Sequence, residues 1–199
     1  MKKLFFKKLN KQNRGYTIIE TMIATSIFLV VVMIGMSALL NANLIQQKSQ
    51  NMRSIMDNLS FIMEDMSRNL RTGYNYHCGT TVSETPLSCA FGSTVFFEAA
   101  AGTIGNSVDQ WGYKIESLDG GVTYNISRSV NGEPFEQLNS EEIKIDGIFS
   151  GFSVIGAEPP TGDTQQPFVI IRLVGKITYR GVDTPFLLQT SVSQRLLDR

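Results

Sequence analysis

Three hydrophobic periods succeed one another along the chain. From Thr21 through Gln47 no side chain is ionisable, and Ile, Leu, Val, Met and Phe dominate the first twenty positions. A continuous apolar run of that length is long enough to cross a bilayer as a helix. The pattern then changes without a break. Met52, Met56, Leu59, Met63, Met66 and Leu70 follow steps of four and three, widened by Ile45, Ile55 and Ile62. Arg53, Asp57, Asn58, Glu64, Asp65, Arg68 and Asn69 lie between them, so this half reads as an amphipathic helix with one buried face. No proline interrupts residues 17–71, and Gly73 supplies a stop. One helix of about 80 Å is expected, at about 1.5 Å per residue. The methionine stripe is expected to pack on the chain's own domain, although a row of methionines also suits an adaptable partner groove. Gly35 fits either a local melting point or simple tolerance in a membrane helix.

From Ser93 onward the period becomes two. Val95 and Phe97 begin a strand. Tyr113-Lys114-Ile115 and Val122-Thr123-Tyr124-Asn125-Ile126 flank Asp119-Gly120-Gly121, a strong hairpin signal. Ile143 and Ile145 precede the turn Asp146-Gly147, and Phe152 and Val154 follow it. Ile171, Leu173, Ile177 and Tyr179 alternate with Arg172, Lys176 and Thr178. Across Arg180-Gly181-Val182-Asp183 they are answered by Phe186, Leu188, Thr190 and Val192. Strands with one apolar face need a cover, which the stripe over 52–70 provides. The expected fold class is α+β, a long N-terminal helix packed on an antiparallel sheet.

Charge alters this picture mainly at the N-terminus. The 199-residue chain balances 18 Lys+Arg against 18 Asp+Glu, yet Lys2, Lys3, Lys7, Lys8, Lys11 and Arg14 all precede the apolar run, with no acid among them. Without that leader, 12 cations face 18 acids, a net charge of about −6. An acidic domain disfavours nucleic acid as a partner. Cys78 and Cys89 are the only cysteines. They flank a short Gly-, Thr-, Ser- and Pro-containing stretch, so outside the cytoplasm a local disulfide clipping a loop is favoured over two free thiols.

One acid stands at the mouth of the apolar run, in Gly15-Tyr16-Thr17-Ile18-Ile19-Glu20. A carboxylate is costly in a membrane-length segment. A secretory signal would place a small-residue cleavage site after the apolar run, and none is there. A plain signal anchor accounts for the length and the basic flank but not for Glu20, nor for glycine before an aromatic residue. The arrangement resembles the N-terminus of type IV prepilins and pseudopilins. That resemblance implies that prepilin peptidase cuts after Gly15 and that Tyr16 becomes the methylated N-terminal residue, a position more often held by phenylalanine. It implies assembly roles for Thr17 and Glu20, the Glu20 carboxylate meeting the amine of a neighbouring subunit. The late hairpin ending Leu188-Gln189-Thr190-Ser191-Val192-Ser193-Gln194-Arg195 further resembles minor pilins and J- or W-type pseudopilins.

The expected organisation is a basic leader at 1–15, a transmembrane or filament-core helix at 16–40, an amphipathic helix at 41–72 and a β-sheet domain at 73–199. The expected partners are prepilin peptidase, other pilin or pseudopilin subunits, an inner-membrane assembly platform and the lipid bilayer. The leader is expected on the cytoplasmic side and the C-terminal domain outside. Catalysis has little to stand on, and neither an enzyme nor a cofactor is expected. His77, the only histidine, reads as a surface residue of the disulfide loop rather than a base. Cys78, Cys89 and His77 lack a fourth zinc ligand. Glu141, Glu142 and Asp146 read as turn solvation. Glu158 and Asp163 bracket a loop that could take calcium but lack helix–loop–helix spacing, so no metal is expected. The rival reading is a signal-anchored extracytoplasmic binding or enzymatic domain.

Overall fold

The computed structural model describes residues 15–103, 105–117, 119–121, 123–159 and 165–195. It divides into two compact units, residues 1–50 and 51–199. Helix α1 runs Ile18–Thr72, 55 residues without interruption. Within the first unit every described residue is exposed, including Ile18, Ile27, Leu29, Met33 and Leu40.

In the second unit the end of α1 covers an antiparallel sheet. The strands are β1 (Tyr74–Cys78), β2 (Cys89–Gly92), β3 (Thr94–Glu98), β4 (Trp111–Ser117), β5 (Tyr124–Ser129), β6 (Glu136–Gln137), β7 (Ile143–Ile145), β8 (Gly151–Ile155), β9 (Phe168–Tyr179) and β10 (Val182–Ser193). Their order is β1-β3-β4-β5-β7-β9-β8-β2, with β10 on β9 and β6 on β5. The core joins Ile55, Leu59, Ile62, Met66 and Leu70 of α1 to Val95, Phe97, Tyr113, Ile126, Phe152, Ile171 and Leu173 of the sheet. This is the α+β arrangement that the two hydrophobic periods predict.

The helix stripe is rotated from its sequence reading. Ile55 and Ile62 are central to it, whereas Met56 is 38% exposed and Ile45 69% exposed. Steps of three and four admit two neighbouring stripes, and the sheet selects the one through isoleucine. Gly73 does end the helix, without a left-handed cap. Its φ is not positive, and a Cβ there would come within 2.4 Å of Phe97 Cδ2. Glycine is needed so that the chain can leave the helix against that ring. The last helical carbonyls have no intrahelical donors. The Tyr76 phenol reaches the oxygens of Leu70 at 2.5 Å and Gly73 at 2.7 Å. The Arg195 amide donates to Arg71 O at 2.9 Å.

The β4–β5 and β9–β10 hairpins form as their turns predict. Arg180 and Gly181 both take positive φ, 49° and 76°, the backbone a two-residue hairpin turn requires. By contrast, β7 and β8 do not pair across Asp146-Gly147. Both lie along β9, with Ile143 opposite Ile177 and Gly151 opposite Arg172. The turn merely carries the chain along one edge of that long strand. Asp146 Oδ1 accepts the amides of Ile148 (2.9 Å) and Phe149 (3.3 Å), which is turn chemistry. Strand β1 alternates Tyr74, Tyr76 and Cys78 with Asn75 and His77 but is short, β2 and β6 carry no alternating apolar signal, and the sequence reading contains none of the three. Val122, assigned to the second hairpin strand, lies outside the described residues.

Cys78 and Cys89 form a disulfide with Cα atoms 6.1 Å apart. It does more than clip the loop between them. Cys78 ends β1 and Cys89 begins β2, the two extremes of the strand order. The Leu87 amide donates to Tyr76 O at 3.0 Å beside the bond, and His77 and Leu87 form a parallel bridge. The ends of the sheet are therefore brought together and closed.

Candidate processing and assembly site

The residues around the start of α1 form a helix N-terminus with a defined cap. Gly15, Tyr16 and Thr17 precede the helix. Thr17 Oγ1 accepts the Glu20 amide at 3.3 Å, and Thr17 O accepts the Thr21 amide at 3.1 Å as the first helical bond. Thr17 is thus the N-cap and Glu20 the third helical residue, the spacing of a capping box. The sequence reading assigned both to assembly without this local role, although Thr-x-x-Glu before an apolar run is its signature. Glu20 also lies in the first turn, where the partial positive charge of the helix end favours an anion.

Beyond Glu20 the hydroxyl side chains of the run bond to the backbone of the helix. Thr21 donates to Ile18 O at 2.8 Å, Ser26 to Ile23 O at 2.8 Å and Ser37 to Met33 O at 2.9 Å. Thr25 Oγ1 lies 2.9 Å from Thr21 O and 3.0 Å from Met22 O. Each hydroxyl is satisfied within its own helix, as an apolar surrounding demands. Glu20 is left as the sole ionisable group of a segment whose most apolar window has mean hydropathy 2.5 and no buried residue. Tyr16 is 81% exposed, free to be reached by an enzyme. The Cβ position of Gly15 meets nothing within 4 Å.

Residues 10–36 match the prokaryotic N-terminal methylation motif, a stretch that contains Gly15, Tyr16, Thr17 and Glu20. The chain carries the N-terminal motif of type IV pilin-like precursors. The motif places it with the type IV prepilins and pseudopilins, whose precursors are cut and methylated by prepilin peptidase and assemble with other pilins. With the apolar helix next to the N-terminus, the prepilin motif fits a membrane-anchored protein. No curated protein and no solved structure matches the chain. Of the basic leader expected over residues 1–15, residues 1–14 lie outside the described residues.

The other residues considered for chemistry have structural places. His77 is not a surface residue. It is 2% exposed in β1, stacked on Phe96 with ring centroids 5.4 Å apart, and burial lowers its pKa. Its position next to Cys78 on an inward-facing strand, rather than in the loop, is what buries it. Glu158 accepts the Ser88 amide at 2.8 Å and the Ser88 hydroxyl, and these bonds hold its carboxyl below the usual range. Glu158 thereby fastens the segment next to Cys89; Asp163 lies outside the described residues. Glu141 and Glu142 are exposed. Among the described residues no group of three or more His, Cys, Asp or Glu converges.

Proposed function

We propose that this precursor is a structural subunit, of the minor pilin or pseudopilin kind, of a type IV pilus or type II secretion-like filament. The observation that carries the reading is Glu20, a single carboxylate in the Thr17-capped first turn of an exposed apolar helix inside the prepilin motif. Its work is assembly and not turnover. The cationic leader stays on the cytoplasmic side while the helix spans the bilayer and the sheet domain faces outward. Cleavage after Gly15 frees the Tyr16 amine. The helices over 16–40 then bundle, and Glu20 of one subunit meets the Tyr16 amine of the next. Pairing removes the cost of an isolated carboxylate in an apolar surrounding. An inner-membrane assembly platform would drive insertion of the subunit.

Intact mass and N-terminal sequencing of the membrane-extracted protein, with and without prepilin peptidase, test the reading. A peptidase-dependent start at Tyr16, with the added mass of a methyl group, is expected. An intact leader in the presence of active peptidase would overturn it and leave a signal-anchored extracytoplasmic domain.

A further inference from the structure

Glu98 closes β3 and is fully buried. Its Oε1 accepts from Gln110 Nε2 at 2.9 Å, and the same amide nitrogen lies 2.7 Å from Ser83 O. Its Oε2 is buried with no partner, and a Cβ added to Gly102 would lie 2.9 Å from it. Asp109, on the short 3₁₀ turn Ser107–Asp109, repeats the pattern. Its Oδ2 accepts the Thr103 amide at 3.1 Å, while its Oδ1 is buried with no partner. Both carboxyls thus close on the Gly102–Thr103 stretch, and Asp109 is among the influences that raise the Glu98 pKa. Two ionised carboxylates in contact repel, and a buried acceptor without a donor is costly. One proton removes both problems, because it turns two unpartnered acceptors into a single O–H···O⁻ bond.

We propose that a single O–H···O bond from Glu98 Oε2 to Asp109 Oδ1 forms a clasp that fastens the Ser107–Asp109 turn to the end of β3. The surroundings favour retention of the proton. Tyr74 of β1 approaches from one side, its phenol donating to Gly102 O at 2.9 Å. Glu84 of the 79–88 loop adds negative potential, and Gln110 closes the site over Oε1. Among the described residues no Lys, Arg or His forms an ion pair with either carboxyl. Burial, the largest influence, raises the Glu98 pKa above its ordinary 4.5; Gln110 opposes that rise, and Asp109 and Glu84 add to it. A raised folded-state value means that the contribution is complete at pH below the ordinary glutamate range. It is lost as pH rises through the folded-state value. Alkali therefore releases the turn, and acid secures it.

The test uses the full chain in detergent micelles. A protonated-carboxyl stretch in the infrared at neutral pH is expected, and Glu98→Gln abolishes it. In Asp109→Asn the new amide donates to Glu98 Oε2, Glu98 ionises and the band is again lost. Hydrogen-exchange protection of the Gly102 and Thr103 amides, corrected for base catalysis, falls about tenfold per pH unit above the folded-state value. It stays flat in Glu98→Gln, whose amide donates to Asp109 without titrating. Absence of the band in the wild type, or an unchanged slope in Glu98→Gln, overturns the proposal. So does protection that is restored at high pH by a divalent cation, which would put a metal ion where the proton is placed here.

Discussion

Tyr113 of β4 donates its phenol to Asp65 of α1 at 2.8 Å, and Asn69 in turn donates to that phenol at 2.8 Å. Arg128 of β5 completes the group, its guanidinium 3.1 Å from the same Asp65 oxygen. A helix residue, its neighbour one turn on and two adjacent strands thus converge on one half-buried carboxylate. Tyr113→Phe removes both bonds of the phenol, leaves Asn69 and Arg128 on Asp65, and keeps the ring stacked on Phe97. It should lower unfolding free energy by about 1 kcal/mol. Asp65→Ala strands three donors, so denaturant titration should show a loss roughly two to three times larger.

The helix exit gives a steric prediction. Gly73→Ala places a methyl within 2.4 Å of Phe97 Cδ2 and 3.0 Å of Glu98 O. Phe97 is fully buried and cannot swing away. Overpacking of this kind costs about 1–3 kcal/mol, readable as a drop in melting temperature. A compensating Phe97→Leu in the same chain should recover part of the loss.

Both tests fall where the sequence speaks with different clarity. The apolar run, the amphipathic half and the two late hairpins are legible because period and turn chemistry agree, as in Arg180-Gly181 between alternating strands. The N-terminal motif is legible because Gly15, Tyr16 and Glu20 stand within six residues between a basic stretch and an apolar run. What escapes is decided by distant partners. Met56 and Ile62 are equally apolar, and only the sheet selects between their faces. His77 is polar by composition and buried by Phe96, which comes 19 positions later. The short strands β1 and β2 owe their place to β3 and β8 and have little pattern of their own.

Removing the disulfide tests sheet closure. For a sequence separation of 11 residues the chain-entropy model assigns about 3 kcal/mol. Cys78→Ser with Cys89→Ser should lose stability of that order by denaturant titration. Hydrogen exchange should quicken first at the Leu87 amide, which bonds Tyr76 O beside the bridge. A uniform loss across the domain would mean that the bond acts only on the unfolded chain.

At the N-terminus two substitutions separate local from intermolecular roles. Thr17→Ala removes the cap of Glu20's amide and should cost the helix start about 1 kcal/mol, seen as fraying without loss of cleavage. Glu20→Ala should be cleaved and stay in the membrane, yet fail to enter filaments efficiently. Comparing membrane and sheared-filament fractions checks both variants. Normal incorporation of Glu20→Ala would remove the proposed role for the carboxylate.

The closure of the sheet also bears on mechanics. Strand β1 follows α1 after the single residue Gly73, so tension applied through the helix reaches β1 before any other strand. On one side β1 is held by its antiparallel pairing to β3, which hydrogen bonds alone would have to sustain. On the other, Cys78–Cys89 ties it covalently to β2, and β2 is paired to β8 in the opposite limb of the sheet. The bridge sits at the far end of β1 from the helix, so a pull can open the strand from Tyr74 only as far as Cys78, where the covalent tie passes the load to β2 and β8.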